Sequence, residues 1–322
     1  MKIISKRQQT VLVTGAAGFI GGRLAQRLLD DGDTVIGVDA YTSTYDVGEK
    51  LARTQALRQH PHYVHVTGDL VDLPLPPLLK GVEVVFHLAG RPGVRPSFEL
   101  PDLYRRDNCE ATDRLVAACV EAPSVRRLVY ASSSSIYGDA PLPFREDGVP
   151  APVSPYGETK LEAERRCLAA DPRHLEAVAL RYFTVYGPGQ RPDLALRRFA
   201  EAALADRPIQ LFGDGTQSRD FTYVDDVVEA TRRAASSSVA GMVINVAGGS
   251  TVTLLDVFAL LRELVGHGFE IETLPFVRGD VRHTGADTGR ARLLLGFHPM
   301  VSFADGYRRE VEWVREGNRS AA

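Results

Sequence analysis

A tyrosine and a lysine four residues apart, Tyr156 and Lys160, form the most informative pair of side chains in this sequence. They lie in a segment that is predicted to be helical, where residues i and i+4 share one face. A lysine ammonium next to a phenol favours the phenolate and lowers its pKa. Tyr156 is therefore predicted to act as a general base near neutral pH. An ordinary pair on a helix surface is the alternative interpretation.

Four consecutive serines, residues 132–135, stand at the end of a predicted strand upstream of this pair. Hydroxyls at the carboxyl end of a parallel strand face the ligand crevice of an α/β sheet. Ser133 is therefore a candidate to relay a proton between a substrate oxygen and Tyr156. Without Tyr156 and Lys160, the four serines would be typical of a polar turn.

Three glycines, Gly15, Gly18 and Gly21, join the first predicted strand to the first predicted helix. Small residues in such a turn let the backbone approach a pyrophosphate, and the helix N-terminus supplies free N–H groups. Asp39 ends the second predicted strand, where a carboxylate accepts hydrogen bonds from ribose hydroxyls and repels a 2′-phosphate. The pattern predicts an NAD site; a glycine turn with an unrelated surface aspartate is the alternative.

Two later strands end in polar residues that could face the same ligand. Asp69 follows the third strand and could bond the adenine amino group or simply cap a helix; the sequence leaves both open. The fourth strand ends at residues 87–90, where small residues would let a dinucleotide cross the sheet edge. His87 itself is expected to be buried and hydrogen-bonded rather than catalytic.

The elements that must position these residues alternate in the first half of the chain. Near-continuous Val/Ile/Leu strands separated by helices indicate a parallel sheet covered on both faces. The predicted class is α/β: a Rossmann-type doubly wound parallel sheet with a smaller α/β C-terminal substrate domain. The predicted strands are 10–14, 34–39, 63–67, 82–88, 127–132 and 177–181, and the predicted helices are 19–31, 97–121 and 155–170.

The pattern changes after about residue 182. A Gly/Pro-rich stretch, 186–192, is not compatible with regular structure, and short strands are expected at 209–212 and 243–246. Thr253 and Asp256 resemble a capping box that opens a helix through residue 264. The dinucleotide-binding domain is predicted to span 1–182 with returning segments around 219–247. The substrate domain is predicted to comprise 183–218 and 248–322.

Composition narrows the class of protein. The 322 residues are 44% hydrophobic and 25% charged, which excludes a disordered or low-complexity chain. A formal net charge of −3 makes nucleic acid an unexpected partner. Three scattered cysteines predict neither a metal site nor a disulfide framework. We expect no membrane span, because no apolar run is long enough, and no signal peptide, which together predict a cytoplasmic location.

Together these motifs resemble the extended short-chain dehydrogenase/reductases that act on nucleotide sugars, and the similarity covers almost the whole chain. The resemblance implies a tightly held NAD and a homodimer that pairs through helices 97–121 and 155–170. It also implies that Asn108 supports the central helix near the site, although a surface asparagine is the alternative. The implied cofactor residues are Gly15, Gly18, Phe19, Ile20, Gly21, Asp39, Asp69, Leu70, Leu88, Ala89, Gly90, Asn108, Ser132, Tyr156, Lys160 and Tyr182.

The C-terminal half carries the signals for the substrate. Residues 211–224 resemble the family segment that borders the nucleotide, so Arg219 would pair with the diphosphate. Arg278 would add a second cation and contact the ribose region. The planar fork of arginine bonds two phosphate oxygens at once. Surface arginine is the alternative for both, since 33 of the 38 basic residues are arginine.

Thr184, together with Arg191 and its neighbours, resembles the UDP-glucuronic acid 4-epimerases in particular. A uronate carboxylate must be desolvated in the pocket, and such a charge needs a cation or several hydrogen bonds. Which arginine binds the carboxylate and which the diphosphate stays open, as does UDP against TDP. The candidates for the carboxylate are Thr184, Ser133, Ser134, Arg191 and Arg95.

The resemblance implies 4-epimerisation of UDP-glucuronic acid, with Tyr156 taking the proton of the 4-hydroxyl. The 4-keto intermediate is a β-keto acid, so an epimerase must hold the carboxylate out of alignment with the carbonyl. A UDP-glucuronic acid decarboxylase is the nearest alternative. Decarboxylases and dehydratases of this family usually carry an acidic residue where Ser134 and Ser135 stand, which counts against both. The sequence is also compatible with a UDP-glucose 4-epimerase and with a non-catalytic NAD-binding sensor on the same scaffold.

Overall fold

A computed structural model describes residues 8–276, 279 and 281–321 of the chain. Within these ranges the strands are β1 (Thr10–Thr14), β2 (Thr34–Asp39), β3 (Tyr63–Thr67), β4 (Val84–His87), β5 (Arg127–Ser133), β6 (Glu176–Tyr182), β7 (Thr184–Tyr186), β8 (Ile209–Phe212), β9 (Ser218–Tyr223), β10 (Met242–Val246), β11 (Thr251–Thr253) and β12 (Ile271–Leu274).

The helices of the described residues fall between these strands. They are α1 (Phe19–Asp30), α2 (Val47–Leu57), α3 (Leu75–Leu78), α4 (Val94–Glu99), α5 (Pro101–Arg105), a π-helical segment (Arg106–Glu110), α6 (Ala111–Glu121), a 3-10 turn (Ser134–Ile136), α7 (Pro155–Leu168), α8 (Ala195–Leu204), α9 (Val224–Ser236), α10 (Leu254–Val265), α11 (Gly289–Leu295) and α12 (Phe303–Ala321).

The larger of two lobes is a parallel sheet of seven strands within the described ranges, in the order β10-β6-β5-β4-β1-β2-β3. Successive residues of a strand point to opposite faces, so Val11 and Val13 join the core on one side and Leu12 joins the core on the other. Both faces are covered by helices, which confirms the predicted Rossmann-type α/β fold. The order in which strands are added to the sheet reverses between β1 and β4, and this switch point is where such sheets bind ligands.

One predicted helix, 97–121, is wrong as a single element. The structure divides it into the end of α4, then α5, the π-helical segment and α6. Pro101 opens α5, because proline is tolerated in the first turn of a helix but not in its interior. The π-helical segment then adds one residue to a turn just before α6, which places Asn108 on the inner side of the helix.

The smaller lobe has a three-stranded sheet, β11-β9-β7, and a two-stranded sheet, β12-β8. Helices α8, α10 and α12 pack around them through one apolar cluster. The predicted capping box is confirmed, since Thr253 Oγ1 accepts from Asp256 N at 3.1 Å and the Asp256 carboxylate accepts from Thr253 N at 3.2 Å. Of the returning segments, α9 and β10 pack with the large sheet, whereas β9 belongs to the small one.

Among the helices that the structure describes, none combines the length and the apolar character that crossing a bilayer requires.

Candidate active site

A cavity of about 780 Å³ opens at the carboxyl ends of the parallel strands, between the two lobes. Arg278 lies outside the described residues, so its role stays a prediction. The cavity brings together nearly all the other predicted site residues: Gly15, Gly18, Phe19, Ile20, Gly21, Asp39, Asp69, Leu70, Leu88, Ala89, Gly90, Arg95, Ser132, Ser133, Ser134, Tyr156, Lys160, Tyr182, Thr184, Arg191 and Arg219.

The glycine turn is shaped by close backbone packing. Gly15 has φ +73°, and a Cβ at this position would lie 2.9 Å from Ala89 N. A Cβ on Gly21 would lie 2.1 Å from Gly15 O, so a side chain there would push α1 away from the turn. Gly18 is the N-cap of α1 and brings no side chain to occupy the free amides. The turn and the helix N-terminus therefore fit a pyrophosphate.

Asp39 is held with its carboxylate at the cavity. One oxygen accepts from Ala17 N at 3.0 Å and the other from Tyr41 N at 2.8 Å. An ionised carboxylate has about four acceptor positions, so acceptor capacity remains for ribose hydroxyls. The residues present at the turn and at Asp39 fit NAD.

Asp69 also lines the cavity, and its carboxylate has two protein partners. Its oxygens accept from Val71 N at 2.9 Å and from Arg106 at 2.8 Å. Burial opposes ionisation, but these two hydrogen bonds hold the pKa of Asp69 below its usual value. The Asp69 side chain therefore caps a turn by accepting from Val71 N, in line with the alternative interpretation. Its contact with the adenine amino group stays a prediction.

His87 is a structural residue, as the sequence analysis expected. It is fully buried between Thr14 and Thr112, whose hydroxyls lie 2.8 Å from Nδ1 and 2.9 Å from Nε2. Burial lowers the pKa of His87 to about 3, and the charge of Lys160 adds to the effect. The imidazole is therefore neutral at physiological pH.

Asn108 is the one described residue of the implied cofactor set that does not line the cavity. Its Oδ1 accepts from Arg91 N at 2.6 Å, and its Nδ2 donates to Arg91 O at 3.2 Å and to Thr159 Oγ1 at 3.0 Å. The structure thus shows Asn108 in a supporting position, and its direct contact with the cofactor stays a prediction. Asn108 ties the segment after β4 to the helix that carries Tyr156.

Helix α7 presents Tyr156 from its first turn. Ser154 caps the helix by accepting from Gly157 N at 3.1 Å. The Tyr156 ring packs edge-on against Tyr104, with centroids 6.2 Å apart. Burial raises the pKa of Tyr156 above its usual value and outweighs a hydrogen bond from the Ser133 hydroxyl and the charge of Arg191, which act in the opposite direction. The structure therefore does not show the net lowering of this pKa that the sequence predicts from Lys160. Ser133 and Tyr156 line the same cavity, with Arg191 as a neighbouring cation.

Lys160 sits one helical turn behind Tyr156 and is buried. Its Nζ donates to Ala131 O at 2.6 Å and lies 4.3 Å from the centre of the Tyr130 ring. Burial lowers the pKa of Lys160 to about 8. The ammonium is fixed at the end of β5, beside the serine run.

Three arginines approach the cavity from the substrate side. Arg191 pairs with Asp193 at 2.9 and 2.5 Å, and its side chain is only 15% exposed. Arg95 lies over the Phe212 ring at 4.3 Å. Arg219 donates to two backbone carbonyls, those of residues 218 and 282. All three predicted cations line the cavity, and their contact with anionic groups of a ligand stays a prediction.

Sequence reasoning missed several cavity residues, among them Lys50, Tyr45 and Arg91. Lys50 is buried; its Nζ donates to Thr42 O at 2.7 Å and lies 4.7 Å from the centre of the Tyr45 ring. The scarcity of lysine could have drawn attention to Lys50, because the chain has only five lysines. Two of them, Lys50 and Lys160, lie in the cavity wall. No comparable signal marks Arg91.

Comparisons with known proteins agree with this geometry. Residues 11–247 match the NAD dependent epimerase/dehydratase family. The UDP-glucuronate 4-epimerase of Thermodesulfobacterium geofontis (strain OPF15) is 38% identical over 313 residues, which cover 95% of this chain and 96% of that protein.

Two solved structures have the same architecture. The UDP-glucuronic acid 4-epimerase from Bacillus cereus, in complex with UDP-glucuronic acid and NAD, has a TM-score of 0.91 and 37% identity, covering 96% of this chain and 99% of that one. MoeE5 in complex with UDP-glucuronic acid and NAD has a TM-score of 0.86 and 42% identity, with coverage of 96% and 99%. MoeE5 has also been solved with UDP-glucose and NAD.

Proposed function

The chain belongs to the NAD dependent epimerase/dehydratase family, and we propose that it interconverts UDP-glucuronic acid and UDP-galacturonic acid by NAD-dependent epimerisation at C4. The observation that carries the proposal is one shared cavity. Ser133, the proposed base Tyr156 and the half-buried cation Arg191 face the same space as the glycine turn. The named relatives act on or bind the same nucleotide sugar.

The glycine turn and Asp39 would hold NAD, which when bound supplies the reversible exchange of hydride with C4 of the sugar. Tyr156 accepts the proton of the 4-hydroxyl as the 4-keto sugar forms, and returns it when the alcohol is restored. Ser133 donates a hydrogen bond to the phenolate and thereby stabilises the charged form of Tyr156.

The substrate carboxylate needs a partner that both pairs its charge and holds its orientation. Arg191 is a half-buried cation on the cavity wall, and Thr184 and Ser134 line the same cavity. Together they would keep the C5–C6 bond away from alignment with the 4-carbonyl, which suppresses loss of carbon dioxide. Arg219 and Arg95 remain for the diphosphate side. Arg278 is assigned to the diphosphate side as well, on the basis of the sequence alone.

UDP-glucose 4-epimerisation is the second candidate, because MoeE5 is known in complex with UDP-glucose as well as with UDP-glucuronic acid. Decarboxylation has less support. Ser134 and Ser135 form a 3-10 turn at the end of β5 and provide hydroxyls where a carboxylate would be needed for further acid–base work.

Three further predictions from the sequence belong to this proposal. We propose that two copies pair through the α6 and α7 region, where these helices pack side by side. A cytoplasmic location is supported by three free, buried cysteines. For the domain boundaries, we propose that α9 and β10 complete the dinucleotide-binding domain, and that β7, β8, β9, β11 and β12 form the substrate domain.

The test is incubation of NAD-loaded protein with UDP-glucuronic acid, followed by product mass and sugar analysis. An unchanged mass with a new uronic acid isomer is the expected result. Loss of carbon dioxide would favour the decarboxylase. Turnover of UDP-glucose without turnover of the uronate would move the assignment to the neutral sugar. A Tyr156→Phe variant run in parallel separates a catalyst from a protein that only binds NAD.

A further inference from the structure

Helix α2 lies between the glycine turn and a loop of the smaller lobe, residues 187–193. Arg53, in the middle of α2, contacts both. Its Nη1 donates to Ala17 O at 2.6 Å, and its Nη2 donates to Gly189 O at 3.3 Å. One guanidinium therefore spans the two sides of the cavity, which come from parts of the chain far apart in sequence.

Two glycines leave room for this arrangement. A Cβ on Gly22 would lie 2.2 Å from Arg53 Cδ, so the arginine methylenes occupy the space that a side chain at position 22 would need. Gly189 has φ +86°, a left-handed conformation that favours glycine, and in this conformation its carbonyl accepts the hydrogen bond from Arg53.

A second side chain of α2 holds the next residue of the same loop. Glu49 pairs with Arg197 through two contacts of 2.7 and 2.9 Å. Arg197 in turn donates from Nη1 to Gln190 O at 2.6 Å, and its backbone N donates to Gln190 Oε1 at 3.1 Å. The loop is thus held at two consecutive residues from α2.

The residue that follows these two contact points is Arg191. Its guanidinium is paired with Asp193 and acts electrostatically on Tyr156. The backbone on its N-terminal side is fixed by Arg53 and by the Glu49–Arg197 pair. A change in the contacts at Gly189 or Gln190 would therefore move the Arg191 guanidinium relative to Tyr156 and to the sugar site.

We propose that Arg53 is a positioning residue, which sets the distance between the dinucleotide turn and the loop that presents Arg191 to the substrate carboxylate. The carboxylate part of this inference rests on the proposed function. Arg53 does not line the cavity, so it acts through the loop and not by touching the substrate.

The experiment compares Arg53→Gln with Arg58→Gln, an exposed arginine at the end of the same helix. We expect KM for UDP-glucuronic acid to rise at least about tenfold in Arg53→Gln, the factor given by one lost charge-assisted hydrogen bond. The Kd of UDP, which lacks the sugar, should not change, and NAD content should match the wild type. Arg58→Gln should behave as the wild type in all three measurements.

The pH profile gives a readout that a purely structural role would not move. Arg191 lowers the pKa of Tyr156, so displacement of Arg191 shifts the acidic limb of kcat/KM to higher pH. Gly22→Ala displaces Arg53 without removing it. This variant should also raise KM for UDP-glucuronic acid and shift the acidic limb of kcat/KM to higher pH. Parallel rises in KM and in the Kd of UDP, with an unmoved pH profile, would overturn the inference.

Hydrogen exchange of the loop separates this inference from the proposed function. Peptides covering 187–194 should exchange faster in Arg53→Gln than in Arg58→Gln, whichever sugar the enzyme uses. Equal exchange in the two variants would overturn the positioning role even if the wild type turns over UDP-glucuronic acid. A wild type that leaves this substrate unchanged would overturn the proposed function, while the exchange result would still decide the role of Arg53.

Discussion

The two sides of the cavity are built in different ways. The dinucleotide side is a short, local stretch, in which Gly15, Gly18 and Gly21 lie within one turn and Asp39 ends the neighbouring strand. The substrate side is assembled from β7, β9, α4 and the loop 187–193, and its cations reach the cavity from separate segments. Backbone packing fixes the first side, whereas long-range side-chain contacts fix the second.

Because the two sides are held in place differently, we expect substitutions on each side to impair different properties of the protein. A change in the glycine turn should remove cofactor and stability together, because the turn is also where α1 packs on the sheet. A change in the substrate loop should alter recognition of the sugar while the fold and the bound NAD persist.

The largest effect is expected from a substitution of Tyr156, which lies where the two sides of the cavity meet. Tyr156→Phe should lower kcat at least about a thousandfold, within the range that a general acid–base group contributes. NAD content should stay at the wild-type level, because phenylalanine keeps the aromatic ring and lacks only the hydroxyl. The measurement is kcat under saturating UDP-glucuronic acid with the bound NAD quantified. Turnover that survives with little loss would show that another group is the base.

The next test acts on the substrate side. Arg191→Gln should reduce kcat/KM for UDP-glucuronic acid about a hundredfold, because a buried carboxylate without its cation is strongly disfavoured. NAD content and Tm should change little, since Arg191 lies in the loop between β7 and α8 and its side-chain ion pair is with Asp193 of the same loop. Exposed Arg207→Gln is the matched control. A variant that lost NAD along with activity would contradict the separation between the sides.

The cofactor side is tested by Gly21→Ala. The added Cβ would lie 2.1 Å from Gly15 O, and such overpacking costs about 2 kcal/mol of the free energy of unfolding. Bound NAD should fall in parallel, because the turn must shift to admit the methyl group. Denaturant unfolding and NAD content are the measurements, with Gly268→Ala, where an added Cβ meets nothing within 4 Å and the backbone is not left-handed, as the control. A stable variant with full NAD would show that the turn is not fixed by packing.

The smallest effect concerns a contact behind the substrate loop. Glu310 is buried, its Oε2 accepts from Gly187 N at 3.0 Å, and its Oε1 has no hydrogen-bond partner among the described residues. Burial raises the pKa of Glu310 to about 8. The folded state therefore favours the protonated form; this stabilisation is fully present below about pH 4.5 and is lost as the pH rises from there through about 8.

Glu310→Gln should remove this dependence. Above pH 8 the variant should exceed the wild type in unfolding free energy by about 1 kcal/mol, because the neutral amide does not have to ionise in a buried site. Denaturant midpoints at pH 6 and pH 9 are the measurement, with exposed Glu312→Gln as the control. Parallel pH curves for wild type and Glu310→Gln would rule out this titration.

The difference between the two sides also explains what could be predicted from the sequence. Gly15 to Gly21, Asp39 and the Tyr156–Lys160 pair are local patterns, and their spacing alone implies their geometry. The contact between Arg53 and Gly189 joins residues 136 positions apart, and no periodicity reports it. Lys50 and the π-helical segment were missed for the same reason, since tertiary contacts and not propensity determine them.

The π-helical segment Arg106–Glu110 limits how the length of this region can vary. Deleting one residue there would restore an ordinary α-helix and rotate one flank relative to the other by about 100°. Asn108 would then lose either Arg91 or Thr159, the two residues that it joins. Single-residue deletions between α5 and α6 should therefore be rejected by selection even though the helix itself would become more regular.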